Sequence, residues 1–202
     1  WIQPWSDSLP SIDGSNNATL KGISVKHPDD ISAVLDVALD QNYQFLFLDA
    51  TGGNADWASE LMNQPRFELL SETVIEMRRR KKEEALVLIY SGGVRSGTDA
   101  ARLIALGANA VVYGVAAALA LGGEIGQSQI EWRSDRAPGE RTDGLTSILN
   151  AHAGEASMMA RCTGKTCLHN LEPEDLRSVT LATSAATNIP VPGHNVTRAR
   201  LL

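Results

Sequence analysis

Short apolar runs alternate with amphipathic helical patterns through the middle of the chain. The runs are apolar or β-branched almost without interruption, and they lie at 22–26, 44–49, 86–90 and 110–113. Runs of this kind are typical of parallel strands that are covered on both faces. A helical pattern follows each run, as parallel strands require a crossover connection. About four strand–helix units predict an α/β fold that is half of a TIM-type (β/α)8 barrel.

Periodicity and end signals place the helices. Pro28 opens the first, and apolar residues continue at helical spacing to Leu39. Further helices are predicted at 67–82, 98–106, 115–121, 143–161 and 173–186, with polar, irregular structure at 122–142. We divide the chain into an irregular N-terminal segment (1–21), a partial barrel (22–125), and a polar connector with a C-terminal helical tail (126–202).

The charge balance excludes some classes of function. The chain has 18 Lys and Arg against 24 Asp and Glu, a net charge of -6, so the basic surface of a nucleic-acid binder is missing. The basic run 78–82 lies at the end of a predicted helix, where the helix dipole favours cations. We therefore interpret the run as a solvated helix end and not as a binding surface. No apolar run reaches the roughly 18 residues of a membrane-spanning helix. We expect no nucleic-acid partner and no membrane partner.

The cysteines and the first residues give expectations about cellular context. Cys162 and Cys167 are too few and too close for the disulfide framework of a secreted protein, which predicts a cytoplasmic location. The chain starts at Trp1 without Met or a signal peptide, and resembles a piece of a longer protein. We expect the other half of the barrel upstream or on another chain. A half-barrel leaves two strand edges open, so we expect an oligomer.

Two glycine-containing loops carry the strongest functional signal. Residues 91–99 join a buried strand to a helix start, and residues 112–116 repeat this arrangement after the next strand. Glycines let backbone N–H groups approach a ligand, and helix N-termini favour anions. Barrels commonly bind phosphate with the loops after strands seven and eight, which favours the C-terminal half. The candidate phosphate ligands are Gly92, Gly93, Ser96, Gly97, Gly114, Val115 and Ala116. The alternative is that the glycines only form tight turns.

These loops resemble a known flavin site. Residues 89–101 and 105–111, together with Tyr113 and Gly114, resemble the FMN phosphate region of flavin-dependent β/α barrels. That signature is shared with inosine monophosphate dehydrogenase and the 2-hydroxy-acid oxidases. The resemblance implies that FMN is the cofactor.

The segment near the C-terminus narrows the resemblance. Residues 156–167 are similar to the cysteine segment that follows the barrel in the glutamate synthase large subunit, where three cysteines hold a three-iron iron–sulfur cluster. Cys162 and Cys167 match the second and third cysteines, and Ala156 replaces the first. Because a thiolate-bound cluster needs its ligands, this replacement counts against an intact cluster. Residues 168–176 resemble glutamate-synthase-like proteins related to the C subunit of N-methylglutamate synthase.

Two upstream elements support the same family. Residues 23–26 resemble the strand whose lysine reaches the flavin and the keto-acid site, which implies that Lys26 is a catalytic residue. On physical grounds a lysine at a strand's carboxyl end can also place a cation near a reduced flavin or a carboxylate. Residues 49–55 correspond to the family's glycine-rich loop, which implies that Gly52 and Gly53 let the isoalloxazine edge approach the backbone.

The resemblance implies an FMN-dependent oxidoreductase acting on CH–NH2 groups. It would reduce a 2-imino acid, formed from 2-oxoglutarate and ammonia or an amine, to glutamate or an N-substituted glutamate. Its partners would be 2-oxoglutarate or a glutamate-like molecule, and amidotransferase or electron-donor subunits. Two alternatives stay open from the residues: a flavin-free barrel enzyme that binds a phosphorylated substrate, and a truncated, non-catalytic subunit.

Overall fold

Five parallel strands form the central sheet of the computed structural model. The structure describes residues 2–6, 20–51, 65–126, 130–132 and 135–193. The strands are β1 (Ile2–Pro4), β2 (Gly22–Val25), β3 (Phe45–Asp49), β4 (Val87–Ser91) and β5 (Ala110–Val112), and each pairs in parallel with the next. This unreversed order is that of a barrel wall, whereas a doubly wound sheet reverses at a switch point. The α/β prediction with a parallel sheet is confirmed.

A helix follows each of the strands β2 to β5, and the first three of these helices connect parallel strands as crossover elements. They are α1 (Ile31–Asp40, after a 3-10 turn at Pro28–Asp30), α2 (Phe67–Arg79), α3 (Gly97–Ala105) and α4 (Val115–Ala120). The helices expected in these places are confirmed, with small shifts of their ends. In the described part of the chain no helix is long and apolar enough to cross a membrane.

The N-terminal segment differs from the irregular structure expected over 1–21. Residues 2–4 form β1, which pairs with β2 from Ile2 beside Gly22 to Pro4 beside Ser24. The Trp5 amide continues the ladder with a 3.0 Å bond to the Ser24 carbonyl. Three residues are too few to show a strand period, so only the pairing with β2 reveals this strand.

The polar stretch 122–142 is also more regular than expected. It holds an antiparallel hairpin of β6 (Gly123–Ile125) and β7 (Ile130–Trp132), and then the start of the long helix α5 (Pro138–Cys162). Glu140 accepts a 3.2 Å bond from the Ala137 amide at the α5 N-terminus. Pro138 in the first turn and this glutamate are helix-start signals that a search for apolar periodicity overlooked.

The tail contains less helix than predicted over 173–186. It forms 3-10 turns at Leu168–Asn170 and Pro173–Asp175, and helix α6 begins only at Leu181 and ends at Thr187. The Glu172 amide is already bonded to Asp175 at 2.9 Å, and the Ser178 amide bonds to the Pro190 carbonyl at 3.0 Å. Between the two elements, the Ser178 amide thus has a partner outside any helix.

The core lies between the sheet and the crossover helices. Alternate residues of the strands are fully buried there, among them Leu46, Leu48 and Tyr90. Helix α1 contributes residues at helical spacing: Ile31, Val34, Leu35 and Ala38. The residues between them on β3, such as Phe47, are only half-buried on the other face of the sheet. The chain thus covers the helix side of its sheet more completely than the barrel side.

The basic run at the end of α2 forms ion pairs within the protein. Arg80 bonds to Asp36 of α1 and, at 2.7 Å, to Glu76. Arg79 also pairs with Glu76. Hydrogen bonds from the two arginines lower the pKa of Glu76 to about 2, and the bond from Arg79 has the larger effect. Arg80 therefore links the end of α2 to α1.

The burial pattern predicts which strand residues determine stability. Leu46→Ala empties a fully buried site in the central strand, and we expect it to lower the free energy of unfolding by about 2–5 kcal/mol. Val87→Ala, at a site 46% exposed on the neighbouring strand, should cost less than about 1 kcal/mol. Urea denaturation of both variants measures the difference. Equal losses would contradict the assigned core.

Candidate functional site

The carboxyl edges of three neighbouring strands bring the predicted site residues together. The pairing of Val25 with Leu48 places Lys26 beside Asp49, and the pairing of Asp49 with Ser91 places the β4 loop next in the row. The Ala50 amide also bonds to the Ser91 carbonyl at 2.8 Å. In barrels this edge carries the ligand site.

Lys26 forms an ion pair at this edge. Its Nζ lies 3.5 Å from Oδ2 of Asp49, and the Lys26 side chain is 47% exposed. The other carboxylate oxygen of Asp49, Oδ1, accepts bonds from the Thr51 amide at 3.2 Å and the Thr51 hydroxyl at 2.5 Å. Sequence reasoning did not assign a role to Asp49. The sequence offered one indication: Asp49 is an acidic residue at the end of the buried strand β3, which pairs with the strand that Lys26 follows.

The glycines of the β4 loop adopt conformations that favour glycine. Gly92 has φ +132° and Gly93 has φ +68°. A Cβ on Gly92 would lie 2.8 Å from the carbonyl carbon of Ala50. The loop therefore crosses the end of β3 in close backbone contact, and the fold alone accounts for glycine at position 92.

Ser96 caps helix α3. Its hydroxyl oxygen accepts a 3.1 Å bond from the Asp99 amide. The buried Asp99 carboxylate in turn accepts the Arg95 amide at 3.2 Å and pairs with the guanidinium groups of Arg95 and Arg102 at 3.6 Å each. The loop is thus held by its own side chains.

Glu155 of α5 occupies the N-terminus of α3. Its carboxylate accepts the Gly97 amide at 2.8 Å and also bonds to the Thr98 hydroxyl. These bonds lower the pKa of Glu155, and the bond from the Thr98 hydroxyl has the largest effect. A Cβ on Gly97 would come within 2.1 Å of the His152 carbonyl oxygen. Gly97 therefore contacts α5 directly, and its amide is bonded within the protein.

The second glycine loop joins the first through Tyr113. The Tyr113 hydroxyl donates to the Ser96 carbonyl at 3.3 Å, and its ring packs on His152 with centroids 4.8 Å apart. Burial raises the pKa of this hydroxyl. Gly114 follows as the N-cap of α4 and has no side chain to cap it. Val115 and Ala116 begin α4 and are buried. The two predicted phosphate loops are therefore neighbours.

The cysteine region does not form a metal centre within the described residues. Cys162 and Cys167 are exposed free thiols, and no group of three or more His, Cys, Asp or Glu in the described chain could hold a metal ion. Ala156, at the position of the first family cysteine, is buried with Ala101 and Ala160 between α3 and α5. Nothing in this region supports an iron–sulfur cluster. Gly52 and Gly53 lie outside the described residues, so their roles stay predictions.

Comparisons with known proteins indicate similarity to FMN-dependent enzymes. The model of the FMN-dependent dehydrogenase family matches residues 65–131, which include both glycine loops. A glutamate synthase large subunit-like protein of Rhizobium meliloti (strain 1021) is 30% identical over 172 residues, which cover 71% of this chain and 39% of that protein. The fold is that of a β/α barrel domain, and the segment with both glycine loops is similar to an FMN-dependent family.

Solved structures show the same fold. The recombinant flavin-binding domain of baker's yeast flavocytochrome b2 superposes with a TM-score of 0.57 at 23% identity, covering 86% of this chain and 37% of that one. A mutant flavocytochrome b2 with pyruvate bound gives 0.60 at 22% identity, covering 88% and 39%. The chain is thus similar to the FMN-dependent dehydrogenase family over residues 65–131 and to a glutamate synthase large subunit-like protein over 172 residues, and it spans 39% of the length of that Rhizobium relative.

Substitution by alanine should have opposite effects on stability at Gly92, which contacts the end of β3, and at Gly154, which has open space around it. Gly92→Ala combines an unfavourable φ with a backbone clash, and should cost about 1–3 kcal/mol of stability. Gly154→Ala, in α5 with no atom within 4 Å of the new Cβ, should stabilise by about 0.5–1 kcal/mol. Thermal unfolding measures both. A neutral Gly92→Ala would show that the loop does not need this crossing.

The Glu155 contact predicts a pH dependence. The folded-state pKa of Glu155 lies below its unfolded value, so its stabilisation is complete near neutral pH and is lost as the pH falls below about 4.3. Glu155→Gln should lower stability by about 0.3–1 kcal/mol at neutral pH and by less in acid. Glu72→Gln, at an exposed position of α2, is the matched control. A loss that does not change with pH would argue against the charged contact.

Proposed function

We propose that this domain holds FMN at the carboxyl edge of its sheet, as part of an enzyme that reduces a 2-imino acid. The imino acid would form from 2-oxoglutarate and ammonia or an amine, and the product would be glutamate or an N-substituted glutamate. The observation that carries the proposal is the row at one sheet edge, where a half-exposed Lys26 follows β2, Asp49 ends β3, and the two glycine loops follow β4 and β5. The family match over 65–131 and the Rhizobium relative support it.

The loops fit a flavin phosphate. Gly92 and Gly93 follow β4, Gly114 follows β5, and the Tyr113–Ser96 bond holds the two loops together. Backbone amides at such strand ends bind phosphate without basic side chains, which suits a chain of net charge -6. Because Glu155 already accepts the Gly97 amide, we assign the phosphate to Gly92, Gly93, Gly114, Val115 and Ala116, with Ser96 and Gly97 supporting the loop from the α3 side.

Lys26 places a cationic group at this edge, beside Asp49. At the end of β2 its ammonium group can bind a carboxylate of the keto acid, or the part of the cofactor that becomes negative on reduction. FMN, when bound, supplies the transfer of two electrons. The residues of this chain bind and orient the reactants around it.

The remaining partners belong to the same proposal. An amidotransferase subunit would deliver ammonia, and an electron-donor subunit would reduce the cofactor. In the described part of the chain the outer strands β1 and β5 each pair on one side only, which favours an oligomer. The free thiols of Cys162 and Cys167 favour a reducing cytoplasm.

Titration of the purified protein with FMN, followed by quenching of flavin fluorescence, tests the proposal. We expect binding, and we expect Gly93→Val to weaken it by about tenfold or more, because a β-branched residue is strained at φ +68° and its side chain crowds the amides. Gly93→Asn tolerates positive φ, so it separates loss of the phosphate site from loss of folding. Gly139→Val, at an exposed position of α5 with nothing within 4 Å, is the control.

The outcomes separate the alternatives. A wild-type protein that takes up no FMN but is stabilised against heat by a phosphorylated sugar or nucleotide would favour the flavin-free barrel enzyme. A protein that binds neither would favour the non-catalytic subunit. Unchanged FMN affinity in Gly93→Val would refute the assignment of the β4 loop.

A further inference from the structure

The Lys26–Asp49 ion pair is built into the pairing of two parallel strands. Val25 pairs with Leu48, so the residues that follow, Lys26 and Asp49, leave the sheet side by side at its carboxyl edge. Their charged atoms are 3.5 Å apart. The pair therefore depends on strand register and not on a flexible loop.

The two partners are fixed to different degrees. Asp49 is 18% exposed, and its Oδ1 accepts two bonds from Thr51, one from the amide and one from the hydroxyl. Lys26 is 47% exposed and reaches Asp49 with the end of its long side chain. Asp49 is thus the anchored partner, and Lys26 is the partner whose position depends on it.

This pair adds little to the stability of the fold. Half-exposed ion pairs contribute little because water screens them and the long side chain loses entropy. For ligand binding, however, this ordering of the Lys26 side chain is an advantage. A side chain that is already ordered costs less entropy when the ligand binds. The geometry therefore suits a role at the site better than a role in folding.

We propose that Asp49, held by Thr51, is a positioning residue that keeps the Lys26 ammonium group at the sheet edge. Its Oδ2 restrains the Lys26 side chain while leaving half of it open to a ligand. The ligand would be either the flavin ring, whose polar edge becomes negative on reduction, or the keto-acid carboxylate. Only this last step rests on the proposed function; the restraint of Lys26 is a property of the chain itself.

Lysine ammonium NMR measures the restraint without any ligand. The 15N relaxation of the Nζ groups reports how far each ammonium moves. In the wild type we expect Lys26 to move less than the exposed Lys81 and Lys82. Asp49→Asn should make Lys26 as mobile as these, and Asp49→Glu should restore part of the restraint.

Two further variants define the cause. Thr51→Val keeps both charges and removes only the hydroxyl that holds Asp49, so the mobility of Lys26 should lie between those of the wild type and Asp49→Asn. Asp40→Asn removes one exposed carboxylate at the end of α1 and should leave Lys26 unchanged. Wild-type mobility of Lys26 in Asp49→Asn would overturn the proposal.

A double-mutant cycle on FMN affinity connects the restraint to the ligand. Asp49→Asn should weaken binding by about two- to fivefold while Lys26 is present, and should have almost no effect in a Lys26→Met background. Equal effects in both backgrounds would show that Asp49 acts independently of Lys26, and tighter binding in Asp49→Asn would show that its charge opposes the ligand. Either result overturns the positioning role.

The two measurements fail in different ways. If the wild type binds no FMN, the proposed cofactor site is wrong, while the NMR comparison still decides whether Asp49 restrains Lys26. If FMN binds and the NMR signal of Lys26 does not respond to Asp49→Asn, the cofactor site stands and the positioning role fails.

Discussion

The site depends on the parallel pairing of β2, β3 and β4. This pairing places Lys26, Asp49 and Ser91 in one row at the carboxyl edge of the sheet. A shift of one residue would turn every side chain of a strand to the opposite face. The buried residues of these strands prevent such a shift, because Leu46, Leu48 and Tyr90 are fully enclosed under the helices. Core packing and site geometry are therefore consequences of the same register.

The glycine-rich stretch after β4 contacts two different parts of the protein. Gly92 lies against the backbone at Ala50, and Gly97 lies against α5, where Glu155 accepts its amide. The glycines thus serve close packing on both sides of the loop, and only part of the stretch is assigned to a ligand. This combines the two interpretations that the sequence left open, tight turns and a phosphate site.

The C-terminal segment has a structural role in the site. Helix α5 packs on α3, its His152 contacts Tyr113 of the second loop, and Glu155 caps the helix that follows the first loop. The part of α5 that precedes the cysteine segment 156–167 thus contacts both glycine loops, and Ala156 and Ala160 of that segment pack on α3. Cys162 and Cys167 lie exposed near its end.

The sequence by itself determined the alternation of strands and helices, the glycine loops and the lysine at the end of β2. These features follow from local rules, namely apolar periodicity, helix-end signals and the special conformations of glycine. Pieces as short as β1 and the β6–β7 hairpin escaped, because three residues carry no period. Only the tertiary structure revealed Asp49 beside Lys26 and Glu155 beside Gly97. The second pair is 58 residues apart in the chain, and such contacts are decided by how elements pack, which no local pattern encodes.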